Sequence, residues 1–183
     1  GERVVRDVGA ERGLSYCILR PGAIYGPRSG FWTRKLFRLA RRRPGFFPAG
    51  GRGAAPVIHV DDLVDLCITA ATHPGADEVT FNATADPAPT WREFLGYYSR
   101  LAGHGWLVGL PMWALWPVAY GRAALAKPQT RAKDTPDLLV TATTCITYKI
   151  TRAREQIGWT PSVSLEDGVQ RCAPWLRELG LLD

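Results

Sequence analysis

A chain of 183 residues that is 46% apolar and 22% charged can bury a core, which excludes a wholly disordered polymer. Its net charge of +6 leaves contact with nucleic acid, an anionic membrane or phosphate groups open. Cys17, Cys67, Cys145 and Cys172 form no C-x-x-C pair, which excludes a clustered zinc site and predicts buried free thiols in a reducing, cytoplasmic compartment, with no metal.

Glu2–Arg12 is predicted as a helix closed by Gly13. No basic-then-apolar leader precedes it, and a chain cut from a longer one is expected. Leu14–Leu19 is a short apolar run, predicted as a buried strand that ends at Arg20-Pro21-Gly22. Ala23–Gly30 is expected to be a loop, and Phe31–Arg43 a helix stopped by Pro44-Gly45. That helix carries Arg34, Lys35, Arg38, Arg41, Arg42 and Arg43, whose first explanation is a solvated face. Phe46–Pro56 is turn-rich. Val57–Val60 is predicted as a second strand, with Asp61 or Asp62 capping a helix that runs to about Thr72. Val79–Asn82 is a third strand.

Thr90-Trp91-Arg92-Glu93 has the form of a capping box opening a helix to Leu101. Gly105–Gly121 carries no charge and includes Trp106, Trp113 and Trp116. Pro111 and Pro117 interrupt it, so a helix over an apolar ligand or on a membrane surface is expected rather than a span. Lys127–Pro136 reads as a polar linker. Thr151–Ile157 is a helix stopped by Gly158. Ser164 opens a last helix through roughly Leu179. Strands alternating with helices predict an α/β protein.

Three segments carry a resemblance. They are Leu19-Arg20-Pro21-Gly22-Ala23-Ile24-Tyr25-Gly26-Pro27, then Val57-Ile58-His59-Val60-Asp61-Asp62-Leu63, then Ala153–Pro161 followed by Ser164–Gly168. In this order and spacing they resemble the C-terminal part of the extended short-chain dehydrogenase/reductases, the NAD-dependent epimerase/dehydratase family. The resemblance implies an α/β fold: the C-terminal portion of a Rossmann-type doubly wound sheet plus a smaller substrate-binding subdomain. Residues 1–85 would carry cofactor-domain segments and 86–183 mainly the substrate side.

The same resemblance implies NAD or NADP as cofactor, with Pro21, Gly22, Ala23 and Ile24 facing the nicotinamide and its ribose. Ligands in open α/β sheets bind beyond the carboxyl ends of strands. His59 is expected to bond nearby backbone. The family's catalytic pair is a Tyr with a Lys four residues on. None of Tyr16, Tyr25, Tyr97, Tyr98, Tyr120 and Tyr148 has one, so no catalytic residue is expected in this chain. The pair would fall upstream of Gly1, and these residues alone are expected to be inactive. The family's Gly-rich pyrophosphate turn has no counterpart here either.

Sugar-nucleotide members carry a diphosphate-binding Arg where this chain has Ala55. The tryptophans point instead to an apolar substrate and to the 3β-hydroxysteroid dehydrogenase-like branch. Tyr25, Trp106, Trp113 and Trp116 are the candidate substrate contacts. The expectation is hydride transfer between NAD(P) and a carbinol or ketone carbon of a small molecule. A sugar-nucleotide epimerase or dehydratase is the alternative within the family. A basic module for nucleic acid or a membrane surface is the alternative of another class. No nucleic acid partner is expected; peripheral membrane contact through 105–121 and a homodimer stay open.

Overall fold

The computed structural model describes residues 1–43, 45–105, 107–110 and 145–183, with backbone alone at 45–49, 107 and 110. Trp106, Trp113 and Trp116 therefore lie outside the described residues. Helix α1 (Glu2–Arg12) ends where Gly13 turns left-handed at φ 62°, as its sequence predicts. The first strand comes later than expected. It is β1 (Ile18–Pro21), and after Gly22 the chain continues as β2 (Ala23–Tyr25) instead of looping.

The partners explain why Pro21 does not end the extended run. β1 pairs in parallel with β5 (Thr80–Ala83), whereas β2 pairs in parallel with β4 (Val57–His59). Ile18 and Gly22 aim their N–H groups at the β5 side, donating to Val79 O (2.9 Å) and Ala83 O (3.0 Å). Alternation turns the Pro21 nitrogen away from β5, so its missing N–H costs that ladder nothing. One residue later, Ala23 N donates to Pro56 O (2.7 Å). Gly22 is thus the residue at which the chain changes strand partners.

The Phe31–Arg43 helix starts one residue early and in a wider form: a π-helix over Gly30–Lys35, then α2 (Leu36–Ala40). Thr33 gives a reason. Its buried hydroxyl donates to Gly26 O (2.8 Å) and accepts from Gly26 N (3.0 Å) and from the Tyr98 hydroxyl (3.2 Å). Strand β3 (Gly45–Pro48) then replaces part of the expected turn region and pairs in parallel with β6 (Leu107–Leu110).

Helix α3 (Val60–Thr72) is capped by the residue before it. His59 Nδ1 accepts from Asp61 N (3.2 Å), so His59 caps where Asp61 or Asp62 was expected to. Asp62 does something else. It is 4% exposed, and its carboxylate accepts from Ser162 N (2.8 Å), Ser162 Oγ (3.2 Å) and Val163 N (3.1 Å). That clamps the late Pro161–Ser164 turn onto the first turn of α3. Removing the acceptor leaves these donors without it, so Asp62→Ala should cost roughly 2–3 kcal/mol. Asp62→Asn keeps one acceptor oxygen and should cost less. Urea midpoints will show both; an alanine variant within about 0.5 kcal/mol of the parent would show that the clamp contributes nothing.

Helix α4 (Trp91–Leu101) opens on the expected capping box. Thr90 Oγ1 accepts from Glu93 N (3.2 Å), and Glu93 Oε2 accepts from Thr90 N (2.7 Å). Helix α5 (Thr151–Ile157) stops at left-handed Gly158, as expected. The single last helix is instead two, α6 (Leu165–Arg171) and α7 (Ala173–Glu178), broken at Cys172. Pro174 lacks the N–H that a continuous helix would bond back, and its ring crowds the preceding turn.

Two apolar cores result. One gathers β2, β4, α2, α4, α6 and α7 around Phe37, Phe94, Tyr98 and Leu176. The other sets α3, β5 and α5 around Leu66, Phe81, Ile157 and Trp159. Each core draws on residues from both sides of position 85. The cysteines depart from expectation: Cys172 is buried, Cys17 is half-buried, and Cys67 and Cys145 are exposed. Cys67 rides the outward face of α3, beside exposed Val64 and Ile68. Among the described residues, no helix is long and apolar enough to cross a membrane.

Candidate functional site

The site is built on the change of partners at Gly22. Where β1 leaves β5 and β2 joins β4, a cleft of about 520 Å³ opens. The Arg20–Ala23 segment lines it, with Trp32, Pro56 and Trp91, and with Asn82, Thr84 and Tyr148. It lies at the carboxyl ends of β1 and β5, the position where open parallel sheets hold ligands. A Cβ at Gly22 would collide with Pro56 O, so the residue type is set by close backbone approach.

Of the expected cofactor contacts, Pro21, Gly22 and Ala23 line this cleft and Ile24 does not. Ile24 points to the other face of β2 and packs against the core around Ile58 and Leu66. Tyr25 shares a face with Ala23 but sits about 7 Å farther along the strand. There it is 2% exposed, edge-on to His59 (5.2 Å) and to Phe94 (5.0 Å). Its ring lies in the core instead of on the cleft. Burial raises its phenol pKa, so it stays protonated.

The cleft offers aromatic surface that the sequence reading passed over. Trp32 and Trp91 stack at 5.9 Å with their planes 25° apart. Trp91 is held by its place in the first turn of α4, and Trp91 N donates to Gly53 O (3.0 Å). Trp32 is placed by the π-helix, whose next residue, Thr33, is pinned to Gly26. Opposite the motif, Thr84 Oγ1 donates to Tyr148 O (3.2 Å) and Asn82 Nδ2 to Lys149 O (3.0 Å). These bonds fasten the 145–150 segment to the end of β5.

Charge at the cleft is largely neutralised. Arg20 makes a two-pronged bond to Glu2, Nε to Oε1 (2.7 Å) and Nη2 to Oε2 (2.6 Å). That pairing lowers the Glu2 carboxyl pKa and raises the Arg20 pKa. Lys149 lies 3.6 Å from Asp86.

His59 is buried apart from this cleft. It accepts at Nδ1 from Asp61 N, so its proton sits on Nε2. Nε2 has no hydrogen-bond partner among the described residues, and burial holds the pKa below its ordinary value. A neutral histidine fixed as a helix cap agrees with its structural reading. Cys172 is similar: its thiol donates to Gly168 O (3.2 Å), and burial pushes its pKa up to about 11, which makes it a poor nucleophile. Among the described residues, no three His, Cys, Asp or Glu side chains gather as metal ligands.

Residues 1–83 match the family described as the NAD dependent epimerase/dehydratase family. This segment is similar to that family. It contains α1, the β1–β2 strand with Pro21–Ala23, β4 with α3, and β5. The whole chain is 24% identical over 93% of its length to 3beta-hydroxysteroid-dehydrogenase/decarboxylase isoform 2 of Arabidopsis thaliana, and covers 33% of that protein. It is 22% identical over 94% of its length to UDP-glucose 4-epimerase of Vibrio cholerae, covering 50% of it.

Among solved structures, UDP-glucuronic acid 4-epimerase from Bacillus cereus, in complex with UDP-glucuronic acid and NAD, superposes on 97% of the chain. The TM-score is 0.66 at 16% identity, and the chain covers 50% of that structure. The fold of the described residues is therefore the Rossmann-type α/β fold of these enzymes. The chain spans a third to a half of the length of the relatives named here.

Proposed function

We propose that this chain forms one side of the active cleft of an NAD(P)-dependent oxidoreductase acting on a carbinol or ketone carbon of an apolar small molecule. The observation that carries it is the cleft at Gly22. There a family-type Pro21-Gly22-Ala23 backbone faces open space beside a stacked tryptophan pair. The main chain of Pro21–Ala23, with no side chain at Gly22, gives the flat nicotinamide end a close approach. Trp32, with Trp91 behind it, gives the substrate a broad apolar wall. Arg20 is committed to Glu2 and Ala55 is fully buried, so neither serves a sugar diphosphate.

Residues 1–85 supply the cofactor side in this reading, and much of 86–183 the substrate side. The dinucleotide fits the backbone cradle, and when bound it would supply the hydride acceptor or donor. This chain's own residues position and enclose. They exclude water with the indoles and hold the carboxyl end of β1 in place through Glu2–Arg20. Proton transfer falls to the Tyr/Lys pair that the 183 residues do not contain. Residues 1–183 assayed alone should show no NAD(P)-dependent turnover, and a measurable rate would overturn that division of labour.

The substrate class is tested in the full-length protein. Trp32→Ala should raise KM for apolar ketones at least tenfold, since an indole contact removed from a buried wall is worth roughly 1.5–3 kcal/mol. The KM for NAD(P) should stay near the parent value. Turnover of UDP-sugars without response to apolar ketones would replace this reading with the epimerase one.

A further inference from the structure

We propose that the face formed by the π-helix and α2 is a docking surface for an anionic lipid bilayer. From Gly13 to Val60 the chain has no Asp or Glu, while six Arg or Lys residues fall between Arg34 and Arg43. The helix sorts them. Thr33, Leu36, Phe37 and Ala40 are buried, whereas Arg34, Lys35, Arg38, Arg41, Arg42 and Arg43 are all exposed. Arg34, Arg38 and Arg41 fall at i, i+4 and i+7, one stripe of a helix.

Several cations elsewhere on this chain have acids. Arg20 meets Glu2, Arg154 meets Asp86, and Arg171 meets Asp61. Among the described residues, none of Arg34, Lys35, Arg38, Arg42 and Arg43 stands in an ion pair. Arg41 donates to Leu181 O (2.9 Å), which fixes its direction without neutralising it. Helix α4, which packs on α2, contributes exposed Arg92 and Arg100. Its one carboxylate, Glu93, is committed to the Thr90 capping box. A sustained positive face whose cations have no ion-pair partner among the described residues is complementary to a polyanion.

Two observations select lipid over nucleic acid. The basic run leads directly into β3, which pairs with β6, and neither strand carries a charge. Val108 of β6 is 42% exposed, so an uncharged, partly apolar edge adjoins the cations, as a headgroup interface requires. Second, the aromatics of the helix do not stand among the cations as a stacking platform: Trp32 faces the cleft, stacked on Trp91. Phe37 is fully buried and Phe31 lies under the Lys35 ammonium at 4.6 Å.

The test is co-sedimentation of the full-length protein with vesicles of phosphatidylcholine alone and of phosphatidylcholine mixed with phosphatidylserine, at low and high salt. Retention is expected on the mixed vesicles alone, with release by salt. R38E/R42E should weaken it by about tenfold or more, with a smaller loss in R38Q/R42Q, while the charge-matched R3E/R12E on α1 keeps it. The substituted positions are exposed, and matching far-UV circular dichroism confirms the fold. No retention on phosphatidylserine, or equal losses in the two reversal variants, overturns the proposal. So does binding to a DNA duplex, abolished by R38E/R42E, in the absence of vesicle binding.

Discussion

Gly22→Ala is expected to remove most of the folded population. The added methyl would be driven into Pro56 O, a backbone atom, and lie 2.9 Å from Thr84 Cγ2. Neither strand can retreat cheaply. Gly22 N bonds Ala83 O and Ala23 N bonds Pro56 O, so the clash sits between two ladders that must both hold. Overpacking in a tight core costs roughly 1–3 kcal/mol when side chains yield, and more when main chain must move. We expect about 3 kcal/mol or more, a large part of a typical domain's net stability. Guanidinium midpoints measure it. A variant that melts like the parent would mean that Gly22 and Pro56 are not in contact there, and the cleft built on that contact would be lost with it.

Phe94→Ala should cost about 3–5 kcal/mol, the range for an aromatic side chain deleted from a packed interior. Phe94 is fully buried and meets three rings: Tyr25 at 5.0 Å, Tyr98 at 5.2 Å and Trp91 at 6.2 Å. Removing it leaves a cavity and forfeits edge-to-face contacts that add to burial. The effect should reach the cleft, because Trp91 supports Trp32 from the same helix. Phe94→Leu keeps most of the volume and should cost less than about 2 kcal/mol. Thermal unfolding of the two variants separates the cases. Equal melting points for alanine and leucine would show that α4 is not seated by this ring.

What could be read from the sequence was what is decided locally. Gly13, Gly158 and the Thr90–Glu93 box mark helix ends through atoms within a turn of one another, and the structure places all three as read. The His59 cap depends on one hydrogen bond two residues long, yet the acidic pair beside it was the more familiar signal. Pro174 announced a break in the last helix that the apolar spacing around it masked.

The continuation of β1 into β2 could not be read, because it depends on residues 57 and 80, far along the chain. The π-helix likewise depends on Tyr98 reaching Thr33. At the site, the Pro21–Ala23 motif was legible as a motif. Ile24 and Tyr25 were carried along with it, although strand alternation and distance send them elsewhere. Trp32 and Trp91 were missed because each, taken alone, reads as a core residue; stacking across the fold makes them a wall.

The strand pairings have a consequence for how the chain acquires its shape. Ile18 meets Thr80, Ala23 meets Val57 and Gly45 meets Leu107, and every one of these ladders is parallel. No hairpin is available among them to serve as a quick local nucleus. Each pairing must wait for a long loop to close before any hydrogen bond compensates its entropy. Assembly of the described sheets is therefore governed by distant encounters. The helices, with their locally written ends, can form early, but they find a place to rest only once those encounters succeed.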